Sequence, residues 1–168
     1  GKIHLHGLLE NPDYYKVVGL CDIDEPKMKA VAEEYHLDDV PLFTDAEEML
    51  KETRPEIFVF VTYPDLRLSV IQLAVKYGVK GISFEKPMAE SLQEAKKIVK
   101  LCHDNGIKAV VCHQQKYLSQ MQTLKKRIED GEIGEITKIH VECQAWFSQL
   151  GTHYVDYILW ANGGHRAK

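Results

Sequence analysis

An aspartate that closes a short apolar run about 20 residues beyond a glycine is a spacing that can do chemistry. Counted on from Gly1, Asp22 ends the run Val17 to Cys21, close to the offset of roughly 20 residues at which an acidic side chain takes the ribose hydroxyls of a dinucleotide. Gly1 then stands as the last glycine of a GxGxxG fingerprint. The Asp22 charge would repel a 2′-phosphate, and no arginine follows at once, so this reading favours NAD over NADP. The same residues also read as structure alone, because an aspartate after a strand is a common helix cap and Asp22 or Asp24 can be no more than that.

The elements that would position these residues alternate from about residue 16 to residue 113. Four nearly continuous apolar runs, Val17 to Cys21, Ile57 to Val61, Gly81 to Phe84 and Ala109 to Cys112, read as parallel strands buried on both faces. Between them lie amphipathic stretches. Thr44 with Glu47 and Ser91 with Glu94 each spell a capping box, Asp24 and Asp65 can cap two further helices, and Gly78 and Gly106 sit where a left-handed residue ends a helix. The fold class expected is α/β, a Rossmann-like parallel sheet. Its opening strand is expected to be missing, because Gly1 leads straight into the helical pattern Ile3, Leu5, Leu8, Leu9.

After Cys112 the pattern changes. A helix is expected over Leu118 to Glu129, then a turn at Gly131 and Gly134, and then a strand from Ile136 to Trp146. In that strand Ile139, Val141 and Cys143 alternate with His140, Glu142 and Gln144, which leaves one face free for a ligand or partner. Residues Thr152 to Ala161 read as helix again. The boundaries expected are a dinucleotide-binding domain over residues 1–114, expected to be truncated at its start, and the beginning of an α/β substrate domain over residues 115–168.

Glu85-Lys86-Pro87, at the end of a buried strand and before a capped helix, resembles the EKP motif of the glucose-fructose oxidoreductase, inositol dehydrogenase and rhizopine-catabolism family. Its neighbours strengthen the likeness. Cys21-Asp22-Ile23-Asp24 resembles that family's second-strand ending, and Thr62-Tyr63-Pro64 the turn after its third strand. Gln114-Gln115-Lys116-Tyr117 resembles its Asn-Arg-Arg-Phe segment, Gly131-Glu132-Ile133-Gly134 its crossover turn, and Gly151-Thr152-His153-Tyr154-Val155-Asp156 its GGHxxD motif. The order and spacing run through the whole chain.

The resemblance implies an NAD(P)-dependent oxidoreductase that moves a hydride between the cofactor and a sugar, polyol or related secondary alcohol. It implies cofactor contacts at Gly1, Asp22, Thr62, Pro64, Glu85, Lys86 and Gln114, and catalytic roles for Lys86, His153 and Gln149. Alcohol oxidation needs a hydride acceptor and a group that removes the hydroxyl proton. His153 can be that base or the hydroxyl's hydrogen-bond partner, with Asp156 three residues on along one helix face as its orienting neighbour. Lys86 would favour a developing alkoxide. Two departures stand out: Gln149, where dehydrogenases of the family often carry an acidic residue, and Arg67, where many carry histidine. Glutamine cannot take a proton but can orient a hydroxyl, which keeps open an NAD-using elimination or glycoside cleavage, and also a non-catalytic dinucleotide- or partner-binding module.

Composition narrows the classes. With 45% hydrophobic and 27% charged residues and a net charge of −4, the chain is expected to be a globular cytoplasmic protein without a nucleic-acid or membrane partner. The basic run Lys125-Lys126-Arg127 reads as a solvated helix face. The histidines and cysteines show no ligand spacing, so no metal is expected, and the four cysteines read as buried free thiols. For the full-length protein the resemblance implies a homo-oligomer. The polypeptide alone is expected to be unstable or to aggregate, since losing a central strand should exceed the roughly 5 to 15 kcal/mol by which domains are stable.

Overall fold

The structure, a computed structural model, describes residues 1–142, 144 and 146–164, and of Phe147, Ser148 and Gln149 only the backbone. Two compact units divide the chain, Gly1–Val111 and Cys112–Lys168.

The first unit begins with α1 (Lys2–Leu9) and alternates strands with helices: β1 (Leu20–Cys21), α2 (Glu25–Glu34), β2 (Leu42–Phe43), α3 (Ala46–Thr53), β3 (Ile57–Phe60), a short 3-10 turn (Pro64–Leu66), α4 (Arg67–Lys76), β4 (Gly81–Glu85), α5 (Leu92–Asp104) and β5 (Lys108–Cys112). The strands form two separate sheets, a parallel pair β1-β2 and a sheet in the order β3-β4-β5. In the second sheet Ile57 to Phe60 pair in parallel with Gly81 to Phe84.

Side-chain alternation places the core. Phe58, Phe60, Ile82 and Phe84 are buried, and Phe60 and Phe84 stack with ring centroids 5.2 Å apart. Leu50 of α3, Ile71 and Ala74 of α4 and Ile98 and Cys102 of α5 close over this cluster. The expectation of strands buried on both faces is corrected here: Ile57 is 48% exposed and Val110 of β5 is 55% exposed. Their row lies on the face that the described chain leaves open.

Helix boundaries follow local chemistry. Asp24 and Ser91 accept bonds from the amides of Lys27 and Glu94 and so start α2 and α5. Two caps differ from expectation. Asp45, not Thr44, starts α3 by accepting from the Glu48 amide at 2.8 Å. Asp65 caps nothing, because Pro64 opens a 3-10 turn and α4 begins with no side-chain cap. Gly78 (φ 76°) and Gly106 (φ 65°) take the left-handed conformation after α4 and α5. Beyond them the amides of Val79 and Ile107 reach back to the Ala74 and Cys102 carbonyls at 3.0 and 2.9 Å, the Schellman pattern that turns a helix sharply into the next strand.

The second unit holds a 3-10 turn (Gln114–Tyr117), α6 (Ser119–Glu129) and α7 (Phe147–Ala161). Helix α7 begins five residues before the expected Thr152, at Phe147. The strand expected over Ile136 to Trp146 is not formed among the described residues, for none of their backbone is paired with a neighbouring strand; alternation supplies a face but not a ladder partner. Cys143 lies outside the described residues. Of the other cysteines Cys102 is buried, but Cys21 is exposed, contrary to expectation. The basic run lies along α6 and is ion-paired, Lys125 with Glu129, Lys126 with Asp130 and Arg127 with Glu132. No described helix is long and apolar enough to cross a membrane.

Candidate functional site

In open α/β sheets ligands bind beyond the carboxyl ends of the strands, and Asp22, Thr62 and Lys86 each follow such an end, those of β1, β3 and β4. The two readings left open for the aspartates separate in the structure. Asp24 Oδ1 caps α2 through the Lys27 amide at 3.1 Å. Asp22 Oδ1 instead accepts the Asp24 amide at 3.0 Å, and its Oδ2 faces Lys27 Nζ at 3.7 Å on a carboxylate that is 39% exposed. Gly1 is the exposed N-cap of α1 and makes no side-chain cap. A Cβ there would meet nothing within 4 Å, so no contact in the described chain requires a glycine.

Thr62, half-buried, offers a buried Oγ1 that has no hydrogen-bond partner. Pro64 opens the following 3-10 turn. Glu85, the last residue of β4, meets His4 Nε2 of α1 at 2.9 Å. Lys86 comes next and is half-buried, and its carbonyl accepts from Arg67 Nη2 at 3.3 Å. The same nitrogen donates to the Thr62 carbonyl at 3.2 Å, so Arg67 ties together the ends of β3 and β4. Arg67 is 2% exposed and lies over the Phe84 ring, 5.8 Å from its centroid. Burial pushes its guanidinium below the ordinary arginine range, and the Glu85 charge opposes that shift.

In the second unit His153 is 5% exposed, not solvated, and stands edge-on to His113 with centroids 5.1 Å apart. The Tyr157 ring is tilted against it with centroids 6.0 Å apart. His113 Nε2 is buried without a hydrogen-bond partner. The Asp156 carboxylate, expected to orient His153, is engaged by Lys116, whose Nζ lies 3.0 Å from Oδ2. Gln114 is exposed at the start of its 3-10 turn. Gln149 lies in the first turn of α7, and its side chain is outside the described residues.

The structure thus joins Thr62 and Lys86 through Arg67, and sequence reasoning had noted Arg67 only as a departure. The signal was present, since Arg67, Ile71 and Ala74 fall at positions i, i+4 and i+7 of α4, the buried stripe of an amphipathic helix. His113 was missed because one histidine after an apolar run carries no spacing signal.

Residues 1–113 match the family described as "Oxidoreductase family, NAD-binding Rossmann fold". The chain belongs to that family, the glucose-fructose oxidoreductase, inositol dehydrogenase and rhizopine-catabolism oxidoreductases. Among curated relatives, the D-apiose dehydrogenase of Paraburkholderia graminis is 28% identical over 131 residues, 78% of this chain and 34% of that protein. The 2,7-anhydro-N-acetylneuraminate hydratase of Mediterraneibacter gnavus is 27% identical over 143 residues, 85% of this chain and 37% of that protein. The chain therefore spans about a third of these relatives' length. The crystal structure of the WlbA dehydrogenase from Bordetella pertussis, in complex with NADH and UDP-GlcNAcA, superposes with a TM-score of 0.78 at 24% identity, over 95% of this chain and 54% of that one. This likeness establishes the fold, an NAD-binding Rossmann domain with parallel sheets and helices.

Proposed function

We propose that the protein transfers a hydride between NAD and a sugar, polyol or related secondary alcohol. The observation that carries this reading is the placement of Lys86 beside Thr62 at the carboxyl ends of adjacent strands in a chain of this family. The residues fit a nicotinamide dinucleotide: the orphaned Thr62 Oγ1 is a buried group awaiting a partner, and the part-exposed Asp22 carboxylate can accept ribose hydroxyls. Gly1, Pro64, Glu85 and Gln114 complete the proposed cofactor contacts. NAD is favoured by Asp22, although Lys27 nearby moderates its charge.

Bound NAD would supply the hydride acceptor. Within that division of labour Lys86 places a positive charge where a substrate alkoxide develops. His153, which neighbours the His113 and Tyr157 rings, takes the hydroxyl proton or hydrogen-bonds the hydroxyl. Gln149, which holds no titratable proton, orients the hydroxyl. The complete protein is proposed to be cytoplasmic and homo-oligomeric, with a dinucleotide domain over residues 1–114 and a substrate domain from residue 115.

A second reading, NAD-using elimination, is favoured by Gln149 in place of an acid and by similarity to a protein named as a hydratase. The complete protein, incubated with NAD and a panel of aldoses and polyols, separates the two. Net NADH that disappears in Lys86→Ala supports dehydrogenation. Product formed without net NADH supports elimination, and unchanged activity in Lys86→Ala removes the role assigned to that lysine.

A further inference from the structure

We propose that Arg67 is a positioning residue of this site, holding the Thr62 and Lys86 carbonyls at a fixed separation so that the Lys86 side chain is presented in register with bound cofactor. The inference rests on the reading of the β3 and β4 ends as a dinucleotide site.

Three observations carry it. A single nitrogen, Nη2, spans both carbonyls at 3.2 and 3.3 Å, so any movement of one turn relative to the other costs a charge-assisted bond. The guanidinium is 2% exposed and packed on the Phe84 ring, so the donor cannot follow a turn that drifts. Finally, Nε and Nη1 are buried without hydrogen-bond partners, an arrangement that a residue kept only for stability has no reason to maintain, since each unsatisfied buried donor is destabilising.

Arginine is suited to the task where histidine is not. Neutral histidine carries one ring N–H, which must choose between carbonyls, and its charge changes near neutrality, whereas the guanidinium stays protonated with several donors in a rigid fork. Lysine keeps a fixed charge and a head that can donate to both carbonyls, although without the fork.

The test uses the complete protein and the variants Arg67→Met, Arg67→Gln and Arg67→Lys. Each is measured for NADH affinity by fluorescence titration, for melting temperature, and for kcat and KM with a substrate of the wild-type enzyme. A misplaced reacting group costs more rate than affinity. The expected result is a kcat lowered by about tenfold or more in Arg67→Met, substantial recovery in Arg67→Lys, and a loss of NADH affinity in both that is much smaller than the loss of kcat in Arg67→Met. If Arg67→Met does not fold, Arg67→Gln against Arg67→Lys decides, with Lys retaining kcat and Gln losing it. Equal kcat in those two variants would overturn the inference. So would losses of NADH affinity and melting temperature that track the loss of kcat, which mark a purely structural residue. A wild-type protein that binds no NADH overturns the dinucleotide reading itself, and the inference with it.

Discussion

His4 Nε2 of α1 meets Glu85 Oε1 at the end of β4, 2.9 Å apart, with the two side chains 22% and 25% exposed. The pair pins the first helix to the residue that precedes Lys86. A hydrogen bond to a charged group shielded in this way contributes about 1.5 to 3 kcal/mol, whereas the ion pair from Lys2 of the same helix to Glu34 of α2, 51% and 52% exposed, is screened by water and contributes little. His4→Ala should therefore destabilise the protein measurably more than Lys2→Ala in urea unfolding, and His4→Gln, which can still donate, should recover part of the loss. Equal effects of His4→Ala and Lys2→Ala would show that the α1 to β4 contact contributes little.

A second prediction concerns acid. Glu47 of α3 accepts from Lys76 and, at 2.8 Å, from the Tyr77 hydroxyl beyond α4, and these bonds hold its carboxyl below the ordinary glutamate range. For a group depressed in the folded state, the stabilisation is fully present above the unfolded value of about 4.3 and is lost as pH falls through the lower folded value. Glu47→Gln should flatten part of the acid limb of the melting temperature against pH and leave the neutral region nearly level. A variant with an acid limb identical to wild type would place the acid sensitivity elsewhere.

How far the sequence could be read depends on the range of the interaction. Asp24 and Ser91 were legible as caps because a cap is settled within three residues. Asp65 was misread because its neighbour Pro64 fixes a turn start of its own. β2, only Leu42 and Phe43, was missed because a two-residue strand has no periodicity; its register with Leu20 and Cys21 exists only in three dimensions. The alternation from Ile139 to Gln144 was real in the sequence, but a strand also needs a partner, which local pattern cannot reveal. In the candidate site, Asp22, Thr62 and Lys86 could be placed at strand ends from pattern and resemblance. The two Arg67 bonds could not, since they join residues 5 and 19 positions away in the chain.

Asp22 offers a test of cofactor choice. If its carboxylate takes the ribose hydroxyls, Asp22→Ala should weaken NAD binding by about 1.5 to 3 kcal/mol, or roughly 10- to 100-fold. Lys27 sits 3.7 Å from that carboxylate. Once the carboxylate is neutralised, its ammonium is placed to meet a 2′-phosphate, so Asp22→Asn should gain affinity for NADP and the double variant with Lys27→Ala should lose that gain. Titration calorimetry with both cofactors reads the outcome, and unchanged NAD affinity in Asp22→Ala would return Asp22 to a turn-forming role.

The division of the strands into two sheets carries the last prediction. β3 and β5 are the edges of the second sheet, and each presents a large apolar side chain, Ile57 at 48% and Val110 at 55% exposure. Edge strands that show unpaired backbone beside exposed apolar residues recruit further strands, and a charge on the edge suppresses this. The 168-residue polypeptide should therefore self-associate with rising concentration, and Ile57→Lys with Val110→Lys should raise the monomer fraction in sedimentation velocity. Both positions lie outside the buried cluster of Phe58, Phe60, Ile82 and Phe84, so the double variant should keep its helical circular dichroism. A wild-type polypeptide that stays monomeric and melts cooperatively would mean that the two sheets protect their own edges, and the unpaired strands would then carry no penalty.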